Sequence, residues 1–230
     1  AYPFHFNGVV MPRGILNSIP TSADHHYLPN QRGVTREVLK MAKMVFLSYP
    51  HNPTTATADL KFFQDAVSWA KSHRIMVVHD FAYSDFVFEG PKAPSILQVP
   101  GAKDVSVEFH TLSKSYSLAG WRLGFAVGNH EILASLAKTK SYVDFGIFRA
   151  IQAAAIKALL GPQDYVRQTV ETYRKRRDVF VGGLQKIGWK VPMPKSTFYV
   201  WAGIPLKFST LTSLEFATLM MQEAGVVAAP

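Results

Sequence analysis

Short apolar runs separated by helix-period segments constrain the fold of this chain more than any other feature. Residues 43–48 (KMVFLS) and 75–78 (IMVV) are brief and strongly apolar, and 105–110 (VSVEFH) forms a third run of similar length. Runs of this kind suit strands buried in a parallel sheet rather than strands with one wet face. The first ends in Tyr49-Pro50-His51-Asn52-Pro53, where two prolines force a non-helical loop. Helical signal then resumes, with Thr57 or Asp59 as N-cap and Leu60, Phe63, Val67 and Ala70 on one face. The second run closes on His79-Asp80, and a fourth strand is expected at Gly124–Gly128 after a Gly-rich turn. Strand, helix, strand at this spacing is a βαβ unit. The expected fold class is α/β, a mostly parallel sheet sandwiched by helices, with ligands beyond the carboxyl ends of the strands.

Downstream, helices are expected at about 131–138 and 148–160, and a third from about 164 to 184. In the third, Val166, Val170, Tyr173, Arg177, Phe180 and Leu184 recur at three-to-four spacing, with only Arg177 breaking the apolar stripe. That helix is long enough to bridge two domains. After Gly188 the pattern changes: Trp189 to Val191, a strand-like run over 197–201, then a helix near 213–223. The expected organisation is a large domain over 1–163, an interdomain helix over 164–184, and the start of a smaller α+β domain over 185–230. The opening Ala1-Tyr2-Pro3-Phe4-His5-Phe6 is not a signal peptide and predicts the middle of a strand-and-loop segment. Because the chain also stops three residues after the strand-like Val226-Val227, truncation at both ends is expected.

Composition excludes several function classes. An apolar share of 48% with 18% charged residues describes a folded globular chain. No run reaches the ~18 apolar residues of a membrane span. Cysteine is absent, which excludes disulfides and thiolate chemistry and suits a reducing, cytoplasmic setting. The net charge of +9 raises nucleic acid as a partner, and the densest basic run is Arg174-Lys175-Arg176-Arg177. Four consecutive helical residues point around most of the helix circumference, so they form no docking stripe, and no Gly/aromatic nucleic-acid motif accompanies them. The run reads as a solvated helix face, and the positive balance suits anionic small substrates. No metal-ligand set is expected.

The residues able to carry chemistry gather at successive strand ends. Asn52 follows the first strand, Asp80 ends the second, and Thr111 and Lys114 follow the third. Asp80 comes after four apolar residues, so its carboxylate is expected to be partly buried and to need a partner. It could be an N-cap or ion-pair residue, or it could hold the protonated nitrogen of a heteroaromatic cofactor, with Tyr83 three residues on. Lys114 is flanked by Thr111 and Ser113 and followed by Gly120-Trp121-Arg122-Leu123-Gly124. Two hydroxyls and a guanidinium between glycines supply the chemistry a phosphate dianion wants. The glycine spacing is not that of a Walker loop, and no strand is followed by GxGxxG, which disfavours a nicotinamide dehydrogenase.

Taken together, Asn52-Pro53-Thr54, His79-Asp80-Phe81-Ala82-Tyr83, Thr111-Leu112-Ser113-Lys114 and Gly120-Trp121-Arg122-Leu123-Gly124 resemble class I/II aminotransferases. These are fold-type I enzymes of pyridoxal 5'-phosphate (PLP), and the resemblance covers essentially the whole chain. It implies that Lys114 is the Schiff-base lysine, that Asp80 pairs with the pyridine nitrogen, and that Asn52 and Tyr83 reach the phenolic oxygen. It implies that Thr111 and Arg122, with Ser113 beside them, bind the phosphate, and that Tyr2 stacks on the pyridine ring. The implied reaction is transamination between an L-amino acid and a 2-oxo acid. The bacterial members it resembles act on aspartate, alanine or LL-diaminopimelate with 2-oxoglutarate or pyruvate. A C–S lyase or decarboxylase on the same scaffold, or a non-catalytic relative, are the alternatives. A homodimer with shared active sites is also implied, and the aromatics of Ser141–Phe148 lie outside any clear periodic element.

Three departures from the family pattern stand out. The family reads Asn-Pro-Thr-Gly where this chain has Thr55 in the glycine position. A β-branched residue is strained at positive φ, so the loop is expected to use an ordinary backbone conformation there. The family's Gly-Ser/Thr phosphate-binding helix start lies upstream of these residues, and its substrate-carboxylate arginine lies beyond Pro230.

Overall fold

A computed structural model describes residues 2–230. Four strands form one sheet in sequential order: β1 (Met44–Ser48), β2 (Met76–Asp80), β3 (Ser106–Thr111) and β4 (Gly124–Gly128). The first three are parallel and β4 runs antiparallel to β3. The α/β class with a mostly parallel sheet flanked by helices is therefore as the apolar runs require. The helices are α1 (Pro3–Val10), α2 (Arg36–Met41), α3 (Leu60–His73), α4 (His130–Val143), α5 (Arg149–Leu160), α6 (Asp164–Lys186) and α7 (Ser213–Ala224).

The βαβ unit forms because its punctuation and its apolar face agree. Asp59 caps α3 by accepting the Phe62 amide at 2.7 Å, and Arg74 ends it in the left-handed region. The face carrying Phe63, Ala66, Val67 and Ala70 is buried against Leu47, Tyr49, Val77 and Ile96. Each large apolar side chain covered in this way stabilises the fold by about 1.5–3 kcal/mol. Side chains alternate along β2, so Val77 and His79 face α3 while Val78 and Asp80 face the other side. Register then places Leu47, His79 and Glu108 on the α3 face, and Ser48, Asp80 and Phe109 opposite. Gly124 is needed where β4 passes Thr111, because a Cβ there would lie 2.5 Å from the His110 carbonyl oxygen.

Several expectations are corrected. The opening segment is helix α1 rather than strand and loop, with Tyr2 as N-cap and Pro3 in its first turn. Proline at that position has no amide to leave unsatisfied and a φ suited to the helix. Thr55 does adopt positive φ, at 63°, against the expected ordinary conformation. Its amide donates to the His51 carbonyl at 2.9 Å, and its own carbonyl accepts from Ser196 Oγ at 2.7 Å, so both ends of the residue are tied. The strand-like run over 197–201 yields no strand. An isolated bridge joins Val87 to Ser196, and Thr197 then turns the chain out of the extended region at φ 60°. Residues 189–191 and 226–227 form no strand either.

In α6 the buried stripe includes Val166, Arg177 and Val181, while Phe180 is exposed. Arg177 is not part of a solvated face: it donates to Glu89, Asp178 and the Pro194 carbonyl and lies over the Phe88 ring. Arg174 is bound to Glu171 and Asp178 on the same helix, and Lys175 and Arg176 remain exposed. Among the described residues no helix is long and apolar enough to cross a membrane.

Candidate active site

The carboxyl ends of β1, β2 and β3 bring the expected residues to one side of the sheet. Asp80, the last residue of β2, accepts the Ala82 amide at 3.1 Å on one oxygen. Its other oxygen lies 2.9 Å from His5 Nε2 of α1. Burial alone would raise this carboxyl, but the hydrogen bonds from His5 and Ala82 outweigh it and hold the group below the ordinary aspartate value. Asp80 is thus an anion with a histidine against it, and α1 lies over the strand end with His5 stacked on Phe46 at 5.7 Å.

Asn52 leaves β1 through a loop whose Tyr49–Pro50 and Asn52–Pro53 peptides are cis. Its Nδ2 donates to Tyr199 Oη at 3.2 Å, and the same hydroxyl lies 2.7 Å from Tyr83 Oη. Three polar groups from distant parts of the chain therefore converge on one point. Tyr83 is buried, and burial followed by the Tyr199 hydrogen bond pushes its phenol far above the ordinary value. The neighbouring Asp80 carboxylate pushes the Tyr83 phenol in the same direction. Tyr2 packs edge-on to His5 at 5.8 Å and remains about two-fifths exposed.

Lys114 sits in the turn after β3. Its Nζ lies 5.6 Å from the centre of the Tyr83 ring and 5.2 Å from that of Phe198. Among the described residues its amine makes no hydrogen bond and no ion pair. Burial lowers its amine below the ordinary lysine value. Arg122 pushes in the same direction, while Asp80 opposes. Thr111 ends β3, and its Oγ1 accepts the Ser113 amide at 3.1 Å, which shapes the turn leading to the lysine. Ser113 contributes only its backbone to these bonds. Arg122 takes a left-handed backbone at φ 53°, and one guanidinium N–H is used on the Ala119 carbonyl at 2.9 Å. Its other N–H groups make no hydrogen bond among the described residues, so most of its five donors are available to an anion.

Two members of this constellation were not anticipated. Tyr199 arrives because residues 195–197 pair with 86–88: Phe88 N–H donates to Lys195 and Thr197 N–H donates to Phe86, both at 2.8 Å. No local pattern marks that long-range contact. His5 was legible in principle, since it follows Tyr2 by one helical turn. That relation appears only once Pro3 is taken as a helix start.

The set fits PLP on its donor chemistry. A desolvated lysine amine without a salt-bridge partner is what a carbonyl carbon requires of a nucleophile. An ionised carboxylate, two hydrogen-bonding groups converging on one oxygen, and a guanidinium beside a threonine match the remaining polar positions of the cofactor. Comparison with known proteins agrees with this chemistry. A family model for aminotransferase class I and II matches residues 2–230. The chain is 47% identical over 230 residues to the glutamate-pyruvate aminotransferase AlaC of Escherichia coli, covering all of this chain and 56% of that protein. It is 43% identical over 229 residues to an LL-diaminopimelate aminotransferase of Moorella thermoacetica, covering 58% of it. The apo structure of BacF from Bacillus subtilis superposes with a TM-score of 0.96 at 39% identity, over all of this chain and 58% of that one. An aminotransferase structure from Staphylococcus aureus gives 0.93 at 34%, with all of this chain and 60% of that chain covered. The chain spans a little over half the length of the relatives it matches. It belongs to the aminotransferase class I and II family.

Proposed function

We propose that the protein carrying this chain is a PLP-dependent aminotransferase that exchanges amino groups between an L-amino acid and a 2-oxo acid. The observation that carries the reading is the Lys114 amine, desolvated between two aromatic rings, unpaired, and within the field of the Asp80 carboxylate. When bound, PLP supplies an electron sink for the bonds at the substrate α-carbon. The protein's own residues orient it and handle protons. Asp80, kept anionic, holds the proton on the pyridine nitrogen. Asn52 and Tyr83 hold the phenolic oxygen, with Tyr199 fixing the two relative to each other. Thr111, Ser113 and Arg122 take the phosphate, and Tyr2 covers the ring. Lys114 Nζ would hold the cofactor and, as a free amine, would take the proton from the substrate α-carbon and deliver it to the carbon derived from the cofactor's carbonyl. A lowered amine pKa raises the fraction of free base available for holding the cofactor and for taking a proton.

Alanine or glutamate as amino donor is the reading favoured by the likeness to AlaC, and LL-diaminopimelate by the likeness to the Moorella enzyme. A homodimer is part of the same proposal. Tyr142, Phe145 and Phe148 are between seven-tenths and nearly fully exposed, so they do not cover this chain's own core. Tyr142 ends up in the last turn of α4 rather than outside a periodic element, Phe145 lies in the connection and Phe148 caps α5. Exposed aromatics clustered in this way suit an interface closed by a two-fold axis. The organisation into a large domain over 1–163, a connecting helix over 164–184 and the opening of a smaller domain over 185–230 belongs to the reading too. Cytoplasmic residence is proposed on composition alone. Borohydride reduction of the PLP-loaded whole protein, followed by peptide mass spectrometry, is expected to place the cofactor on Lys114, and Lys114→Ala to abolish both adduct and transamination. An adduct on another lysine would refute the assignment.

A further inference from the structure

Asn52 and Tyr83 stand on different loops, one leaving β1 and the other leaving β2, and the segment 194–199 fastens those loops to each other. Its start is held by α6: Arg177 Nη1 donates to the Pro194 carbonyl at 2.7 Å and to Glu89 at 3.0 Å. Phe88 N–H donates to Lys195 and Thr197 N–H to Phe86, both at 2.8 Å, which bridges Ser196 to Val87. Ser196 Oγ reaches the other loop and donates to the Thr55 carbonyl at 2.7 Å. Thr197 then turns the chain at φ 60°, and its Oγ1 accepts the Tyr199 amide at 3.3 Å. At the far end Tyr199 Oη accepts from Asn52 Nδ2 at 3.2 Å and lies 2.7 Å from Tyr83 Oη.

Each loop is therefore gripped twice, once through its backbone and once through the side chain that carries chemistry. Ser196 and Thr197 are fully buried, so the middle of this strap cannot shift without breaking bonds that water does not replace. Phe198 fixes the ring beside Tyr199, stacking on Tyr173 at 5.2 Å and meeting Phe86 and Tyr83 edge-on at 5.5 and 5.3 Å. The Tyr199 ring packs edge-on to Tyr83 at 5.7 Å. A phenylalanine would fill the same ring space, so what the hydroxyl adds is the pair of bonds to Asn52 and Tyr83. One phenolic oxygen has the capacity for both, whichever of the two tyrosines donates to the other.

We propose that Tyr199 is a positioning residue that sets how firmly Asn52 and Tyr83 hold the phenolic oxygen of PLP, and that the strap over 194–199 is what places it. The role rests on the functional reading above. Without the Tyr199 hydroxyl, the Asn52 amide and the Tyr83 phenol lose the group that fixes their separation and direction. Each then spends less of its time aimed at a common oxygen. Hydrogen bonds to that oxygen stabilise negative charge on it, and charge held there makes the proton on the Lys114–PLP linkage easier to remove. Linked hydrogen bonds also strengthen one another, so the effect of Tyr199 travels through its two neighbours.

The test is a pH titration of the visible absorbance of the bound cofactor in the whole protein. In Tyr199→Phe the linkage keeps its proton to higher pH, so the midpoint is expected to rise by about half a unit or more. Repeated in Tyr83→Phe and in Asn52→Ala, the same substitution should move the midpoint by no more than about half as much, because one of its partners is already gone. An unchanged or lowered midpoint in folded, PLP-loaded Tyr199→Phe would overturn the role, as would a rise that persists undiminished in both backgrounds. A residue that only packs would lower the urea unfolding midpoint and leave the absorbance midpoint where it was. Should Tyr199→Phe not fold, Ser196→Ala takes its place: it cuts the strap from Thr55 without changing a side chain of the site, and an unchanged midpoint there would overturn the role. Failure of the unmodified protein to carry PLP on Lys114 would overturn the functional reading as well, whereas a normal titration of the unmodified protein with unresponsive variants would overturn this role alone.

Discussion

Replacing Thr55 by glycine is expected to stabilise the protein, although it deletes a side chain from a structured loop. Thr55 holds a left-handed backbone at φ 63°, which costs an L-residue about 1–2 kcal/mol. β-Branching places the charge at the upper part of that range. The residue is kept there by its amide bond to the His51 carbonyl and by the Ser196 hydroxyl on its own carbonyl, and both survive in Thr55→Gly. No hydrogen bond of the Thr55 side chain is lost among the described residues. Glycine adds freedom to the unfolded chain, which offsets about 0.4–1 kcal/mol of the relief. The net expectation is a gain of about 0.5–1 kcal/mol. Urea unfolding of the whole protein would show it as a higher midpoint with an unchanged slope. Midpoints must be compared at one protein concentration, because association shifts apparent stability. Thr55→Ala is the control: it removes the hydroxyl and the branch but keeps the Cβ that opposes positive φ. It should therefore remain within about 0.5 kcal/mol of the parent. If Ala and Gly prove equally stable, backbone strain at Thr55 is not the term at work.

Three further outcomes are expected. Burial alone would raise the Glu108 carboxyl, yet the hydrogen bonds from His110, His79 and Ser95 hold it down to about 2. Against an ordinary 4.5, it stabilises the protein above the ordinary value and loses that contribution as pH falls through the folded one. Acid unfolding should thus steepen between those limits, Glu108→Gln should flatten the limb, and the loss near pH 7 should be on the order of 3 kcal/mol. Phe63, fully buried against His79, should cost about 3–5 kcal/mol when truncated to alanine, and a loss under ~1 kcal/mol in equilibrium unfolding would contradict the core assigned to α3. Changing Phe145, 95% exposed, together with Tyr142 to serine should raise the dimer dissociation constant by at least about tenfold in sedimentation equilibrium. An unaltered constant would move the interface elsewhere.

The sheet and its ligand side were legible in the chain because their causes are local. An apolar run of five or six residues, two prolines after it and an N-cap before the next apolar face specify β1, the Asn52 loop and α3 without reference to anything distant. The strand-end positions of Asn52, Asp80 and Lys114 follow from the same reading. What the tertiary structure decided depends on pairs far apart in sequence. Tyr199 joins Asn52 and Tyr83 only because residues 195–197 pair with 86–88, and Thr55 accepts a strained φ only because His51 and Ser196 hold it from both ends. Arg177 breaks an apolar stripe on paper but is buried, since Glu89 and the Pro194 carbonyl reach it from other segments. His79 and Glu108 look like polar interruptions of two strands until parallel register sets them side by side. A side chain's own pattern fixes which face it takes, but its partners, and with them its charge, are set by whichever distant groups the packed chain brings within hydrogen-bonding reach.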